Sequence, residues 1–177
     1  MFILWKPLLF ILSCLVIGWA SRNSLRSSRL HGFYRFFAFE ADLGLVLLNL
    51  DDWFRQPLAW WQIISWLLLA FSIFLAYQGF WLLWNIGRPQ GKVEDTTKLV
   101  MIGAYRFIRH PLYASLLCFA WGAFFKMPSL AGIALALVAS AFLYATARVE
   151  EVENLKKFGD AYAGYIKKTS MFIPGLF

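Results

Sequence analysis

The chain has little of what a soluble or secreted domain relies on. It holds two cysteines, two histidines and ten acidic residues among 177. Two cysteines build no disulfide framework, and Cys14 and Cys118 lie inside apolar runs, where cysteine acts as a small buried hydrophobe. The redox compartment is therefore not readable from them, and nothing in the pattern asks for a metal ion. No internal repeat and no long polar linker interrupt the chain, which leaves one domain over 1–177 and counts against a repeat-built transporter or small channel. No RNA- or DNA-binding motif accompanies the basic residues, so nucleic acid is not an expected partner.

What the chain does have is apolar surface. Hydrophobic residues make up 60% and aromatics 19% of it, with charged residues at 15%, outside the usual globular range. Runs long enough to be membrane spans can be drawn at 2–20, 33–50, 57–84, 111–125 and 128–146. The expected fold is all-α, a polytopic membrane helix bundle of about five transmembrane helices. Residues 1–96 would hold spans one to three and a connecting loop, and 97–177 a hairpin core and a C-terminal helix. Glu40 and Asp42 weaken the second run, because ionisable groups inside a span are costly and usually face a cavity or a partner. A span starting near Asp42 would leave both at an interface. The fourth run, 111–125, rises only about 22 Å against an apolar core of about 30 Å. It either extends back through His110 or sits where the bilayer thins.

Charge orients the spans, since lysine and arginine concentrate on the cytoplasmic side. Segment 21–35 holds Arg22, Arg26, Arg29 and Arg35; 85–109 holds Arg88, Lys92, Lys98, Arg106 and Arg109; 148–177 holds Arg148, Lys156, Lys157, Lys167 and Lys168. The other two connections hold only Arg55 and Lys126. Five spans with the N-terminus outside and the C-terminus cytoplasmic put all three basic segments on one side. The first span reads as retained, because cleavage near Ala20 would strand segment 21–35 outside, against the charge rule. The net charge of +7 points to an anionic lipid leaflet as partner.

The last two spans are joined by Lys126-Met127-Pro128, which permits only an antiparallel helical hairpin. Ala114, Cys118 and Gly122 recur every four residues on one helix and Gly132, Ala136 and Ser140 on the next. Such stripes permit close backbone approach, and the spacing predicts that the two helices pack on each other through them. A hairpin of this kind returns Glu150 to the face that His110 left. After Arg148 an amphipathic helix is expected along the cytoplasmic interface, with Val152, Leu155, Phe158, Tyr162 and Tyr165 on one side and Lys156 and Lys157 on the other.

Two polar clusters flank the hairpin. Residues 103–113 read Gly-Ala-Tyr-Arg-Phe-Ile-Arg-His-Pro-Leu-Tyr, and Arg148-Val149-Glu150-Glu151 runs on to Phe158-Gly159-Asp160-Ala161-Tyr162-Ala163-Gly164-Tyr165. Pro111 suits the first position of a helix, which places His110 at its cap beside unpaired amide groups. Leu99, Val100, Gly103, Tyr105, Arg109, His110, Pro111, Tyr113, Glu150, Glu151, Phe158, Gly159, Tyr162 and Tyr165 fall in the order and spacing of a known pattern. From Thr97 onward the chain resembles the membrane methyltransferases typified by isoprenylcysteine carboxyl methyltransferase and phosphatidylethanolamine N-methyltransferase.

That resemblance implies a transferase, a methyltransferase using S-adenosyl-L-methionine at the cytoplasmic membrane face. Its acceptor would be amphiphilic or small, of the isoprenylcysteine-like carboxylate or phospholipid amine class. Carried over position by position, it implicates Thr97, Lys98, Leu99, Val100, Tyr105, His110, Pro111, Leu112, Tyr113 and Glu150 in holding the cofactor. Glu151, Arg148 and Arg109 are the candidate catalytic groups. Adjacent glutamates on a helix point about 100° apart, so Glu150 is expected on the cofactor and Glu151 solvated or paired with a lysine. Carboxyl methyltransferases carry an arginine about one turn before this glutamate; Ala145 and Thr146 stand there, and Arg148 is the nearest substitute. The resemblance extends loosely to membrane sterol reductases, which makes an NADPH-dependent enzyme the alternative.

Overall fold

A computed structural model describes residues 5–27, 30–91 and 95–176. Arg29, Lys92 and the start of the first expected span lie outside the described residues. The chain folds into helices α1 (Trp5–Leu25), α2 (His31–Asn49), α3 (Trp60–Leu82), α4 (Pro111–Phe124), α5 (Leu130–Phe158) and α6 (Asp160–Ile166), with no named strand among the described residues. Three helical stretches are long and apolar enough to cross a membrane: Trp5–Leu25, Trp60–Gly87 and Leu130–Phe158.

Local chemistry explains the boundaries. Pro111 opens α4 where its missing N–H leaves no bond unmade. The Ser129 hydroxyl caps α5 by accepting from the Gly132 amide at 3.0 Å. Gly159, at φ +56°, supplies the left-handed backbone that turns the chain from α5 into α6. The end of α3 widens into a π turn over Leu83–Gly87. The following loop doubles back on it, with the Thr97 and Lys98 amides donating to the Gly87 carbonyl at 2.8 and 3.1 Å. α4 does not extend back through His110; its fourteen residues rise about 21 Å.

The two stripes of the hairpin do not face each other: that of α5 meets α4, with Gly132 beside Phe124 and the Trp121 indole donating to Ser140 Oγ at 3.2 Å, but that of α4 turns away. α4 turns its stripe to α3: a Cβ on Gly122 would stand 2.9 Å from the Leu69 side chain and 3.3 Å from the Ser65 carbonyl. Two hydroxyls bind this seam, Ser65 donating to Gly122 O at 2.7 Å and Ser72 to Ser115 O at 2.8 Å. α5 packs chiefly on α2, which the sequence did not single out as its neighbour. Ala41 and Leu45 of α2 meet Ala136 and Ala139 of α5 and Ala120, Ala123 and Phe124 of α4 in one buried cluster. Helical period reveals which residues share a face but not which helix that face will meet. Gly122→Leu is accordingly expected to lower thermal stability by about 1–3 kcal/mol through overpacking. Gly132→Leu should do less, since the atoms nearest the added carbon belong to the Ser129 and Phe124 side chains, whereas at Gly122 they include backbone. Equal losses in melting temperature would show that the α3–α4 seam is not the tight one.

Two further expectations change. α2 starts at His31, well ahead of Asp42, so Asp42 is not at a helix boundary. It is 4% exposed, and neither carboxylate oxygen has a hydrogen-bond partner. Glu40 lies on another side of the helix, where Cys14 Sγ donates to its Oε2 at 2.6 Å. At the chain's other end, the helix through Arg148 is α5 itself, which runs unbroken to Phe158 before α6 starts at Asp160. Val152 and Leu155 stay exposed while Tyr162 and Tyr165 are buried on α6, so these residues do not form one face.

At the hairpin end, Lys126 is 1% exposed. Its Nζ lies 3.2 Å from the centre of the Trp66 ring and donates to Gln62 Oε1 at 3.1 Å. The aromatic face and the amide replace its water.

Candidate active site

At the opposite end of the hairpin, the segment 103–110 crosses from the loop after α3 to the start of α4. A single 3₁₀ turn, Gly103–Arg106, aims successive side chains to opposite sides. Tyr105 and Arg109 point into a cleft also lined by His110, while Gly103, Ala104, Phe107 and Ile108 line an apolar groove elsewhere. The C-terminal residues strap this segment down. The Arg109 and His110 amides donate to Ser170 and Met171 carbonyls at 2.8 and 3.2 Å, and the Ser170 amide returns one to Phe107 O at 3.1 Å.

The cleft gathers walls from α2 and from each element between the end of α3 and α6. α2 gives Arg35; the end of α3 and its loop give Leu83, Thr96, Leu99 and Val100; α4 gives Leu112 and Tyr113; α5 gives Glu150, Asn154 and Phe158; α6 gives Tyr162 and Tyr165. Its cavity measures about 80 Å³, below the roughly 300–1,000 Å³ of ligand sites. A ligand of cofactor size enters only if the walls part.

His110 sits at the centre. Its Nδ1 is 4.0 Å from Glu150 Oε2 and its Nε2 3.5 Å from Glu151 Oε1. The ring lies nearly parallel to Tyr113 at 5.5 Å and tilts against Phe172 at 6.2 Å. Although buried, Nε2 has no hydrogen-bond partner. Its 3.5 Å approach to Glu151 Oε1 is too long for a good hydrogen bond and leaves the nitrogen under-satisfied. Glu150 and Glu151 do diverge as adjacent helical residues must. Glu150 lines the cleft. Glu151 is 4% exposed and is neither solvated nor lysine-paired: Arg109 Nε donates to its Oε1 at 2.7 Å. The same guanidinium donates through Nη1 to the carbonyls of Thr169 and Ile166. One buried ion pair thus joins α5, the start of α4 and the C-terminal strap.

Tyrosines close the far side. Tyr165 Oη donates to the Tyr105 carbonyl at 2.5 Å, fixing α6 to the 103–110 segment. Burial first, and then the nearby Glu150 carboxylate, hold the Tyr105 phenol well above its usual range. Burial also pushes Tyr162 and Tyr165 upward, so all three remain neutral donors near neutral pH.

Of the residues expected on a cofactor, Leu99, Val100, Tyr105, His110, Leu112, Tyr113 and Glu150 line the cleft. Pro111, Thr97 and Lys98 do not. Pro111 is buried at the helix start, Thr97 Oγ1 donates to the Arg88 carbonyl at 3.0 Å, and Lys98 is exposed. Of the candidate catalytic groups only Arg109 lines the cleft, through a side chain already bound to Glu151. The Arg148 side chain is 61% exposed and 3.6 Å from Glu151 Oε2. Sequence reasoning passed over Arg35, Thr96 and Asn154. Asn154 was findable, being one helical turn beyond Glu150; Arg35 carried no signal, since nothing local ties α2 to this site. Chemically, the cleft can hold a flat apolar group between aromatic rings and a cationic group beside Glu150.

A family model for phospholipid methyltransferase matches residues 60–161, from the start of α3 to the first turn of α6. A methanethiol S-methyltransferase of Pseudomonas deceptionensis is 25% identical over 144 residues, 80% of this chain and 50% of that protein. Methanethiol S-methyltransferase 1 of Bradyrhizobium diazoefficiens is 30% identical over 70 residues, 40% of this chain and 24% of that protein. The chain spans about half the length, or less, of these curated relatives in the matched regions. No solved structure matches.

Proposed function

The chain belongs to the phospholipid methyltransferase family, and from that premise we propose that it moves a methyl group from S-adenosyl-L-methionine to a lipid-like or small acceptor in the His110–Glu150 cleft. The observation that carries this reading is the convergence of His110 and Glu150, forty residues apart in sequence, at 4.0 Å in an aromatic-walled cleft. The donor set suits the cofactor: a carboxylate for its ammonium, aromatic and aliphatic walls for adenosine, and an unpartnered imidazole nitrogen. Leu99, Val100, Leu112 and Tyr113 would bury the adenosyl group and Glu150 would hold the amino-acid end. When bound, the cofactor supplies an electrophilic methyl on a sulfonium sulfur.

The protein's own residues then orient and dry the reactants, which supplies much of the barrier reduction in a displacement. Arg109 and Glu151 act as positioning residues, since their pair holds the strap against the segment that carries His110. A carboxylate acceptor is already ionised near pH 7, whereas a thiol or amine must first lose a proton. The relatives named for methanethiol favour a thiol-type acceptor. For it, His110, whose Nδ1 lies 4.0 Å from Glu150 of the cleft, would be the group that takes the proton.

In the membrane, α1 to α5 would make five crossings in one domain, with the N-terminus outside and the cleft cytoplasmic; the end of α5 and α6 would lie at the interface. In a background with Cys14 and Cys118 replaced by alanine, a cysteine at Ser27 should be labelled only from the cytoplasmic side and one at Asp51 only from outside. Labelling of both from one side removes the five-crossing arrangement. The activity itself is tested by calorimetry on detergent-purified protein. S-Adenosylhomocysteine should bind and NADPH should not; the reverse result selects the reductase alternative.

A further inference from the structure

A cavity much larger than the cleft lies on the other side of segment 103–110. It is an apolar groove of about 690 Å³ between α3, α4 and the C-terminal strap, walled by Phe71, Phe74, Leu117, Trp121, Phe172 and Ile173 among others. No residue lines both groove and cleft, because the segment 103–110 stands between them. What the groove does adjoin is a second, basic pocket of about 340 Å³ with which it shares Phe107 and Pro174. Arg106, Lys167 and Lys168 line that pocket, and none of them forms an ion pair among the described residues. Asp160 lines the adjoining pocket that also includes Arg106 and Lys168. Ser170 and Thr169 line the basic pocket too, but Thr169 Oγ1 already donates to the Tyr165 carbonyl at 2.7 Å and Ser170 Oγ accepts from the Gly175 amide.

We infer that groove and basic pocket together bind one anionic glycerophospholipid, its acyl chain in the groove and its phosphate among Arg106, Lys167 and Lys168. Charge complementarity selects the occupant. A neutral chain would satisfy the groove alone, and a free phosphate the basic pocket alone, but the two adjoin at Phe107 and Pro174, which line both. Basic pockets at the ends of membrane helices are a recurrent way to hold anionic headgroups. The bound lipid is distinct from the methyl acceptor, since the intervening 103–110 segment keeps it out of the cleft. Its position gives it a structural effect: both pockets are partly built from the strap that holds Arg109 and His110, so the lipid would seat that strap.

The test is thermal unfolding in a neutral detergent with added dioleoyl phosphatidylglycerol, dioleoyl phosphatidylcholine or inorganic phosphate. Phosphatidylglycerol well above its dissociation constant is expected to raise the melting temperature by about 5 °C or more, and the other two to leave it unchanged. The variant Arg106→Gln/Lys167→Gln/Lys168→Gln should lose that shift. Arg26→Gln/Lys156→Gln/Lys157→Gln removes the same charge from elsewhere and should keep it. Ile173→Glu, which puts a carboxylate in the groove wall, should weaken it independently of the basic triad. Equal shifts with phosphatidylcholine, reproduction of the shift by phosphate alone, or loss of the shift in both triple variants would each overturn the inference. So would a full shift in the Arg106 triple variant or in Ile173→Glu.

Discussion

Arg109→Leu is expected to lower stability by about 3 kcal/mol, because removing one partner of a buried ion pair leaves the other charge with only the exposed Arg148, at 3.6 Å, and the His110 ring beside it. In a chain of this length that is a fall in melting temperature of about 10 °C. Both side chains of the Arg109–Glu151 pair are 6% exposed, so little solvent is at hand to rescue the survivor. Arg109 also serves the Ile166 and Thr169 carbonyls, and its loss frees the strap as well as Glu151. The double variant Arg109→Leu/Glu151→Leu should be less damaged than the sum of the two single variants, since it removes both charges together. Thermal melts of the three proteins form the cycle. Additive losses would show that the pair contributes nothing as a pair.

Glu150→Gln should leave the melting temperature nearly unchanged and weaken S-adenosylhomocysteine binding about ten- to a hundredfold. The substitution keeps shape and removes only the charge. A charge-assisted hydrogen bond is worth about 1.5–3 kcal/mol, which converts to that range of affinity. His110→Ala should also weaken binding. Glu151→Gln is the contrasting case, with its main effect on stability, because Glu151 faces Arg109 and not the cavity. Calorimetric titration of each variant, with its melt, separates the roles. If His110→Ala and Glu150→Gln both bind as tightly as the parent while folded, the cleft is not the cofactor site and the proposed function falls with it.

Much of the route to the site could be read from the residues. The Lys126-Met127-Pro128 turn admits only a hairpin, and a hairpin brings His110 and Glu150 to one end. Pro111 sets the helix start and therefore the position of the histidine ahead of it. Elsewhere the sequence pattern was followed by a different partner. The stripe through Gly122 is real as a stripe, yet it faces Leu69 and Ser65 of α3, and the stripe through Ala136 meets α2 as well as α4. Arg35 reached the cleft from a segment whose composition suggested only a membrane boundary.

Hydropathy, charge distribution and turn length by themselves determined a helical membrane protein with a polar centre at one end of a hairpin, and the resemblance of its motifs to a known pattern pointed to the methyltransferase family that the family model shows. Those are local or additive properties: how long an apolar run is, where a turn is too short to do anything else, how far apart two motifs stand. Tertiary structure alone decided that Glu151 is the buried partner of Arg109 while Glu150 faces the cavity, that α5 lies against α2, and that an apolar groove opens beside a basic pocket. The 100° between adjacent helical residues states that the two glutamates differ. Only the packing of neighbouring helices and the strap, where desolvation and pairing compete, selects which of them is buried.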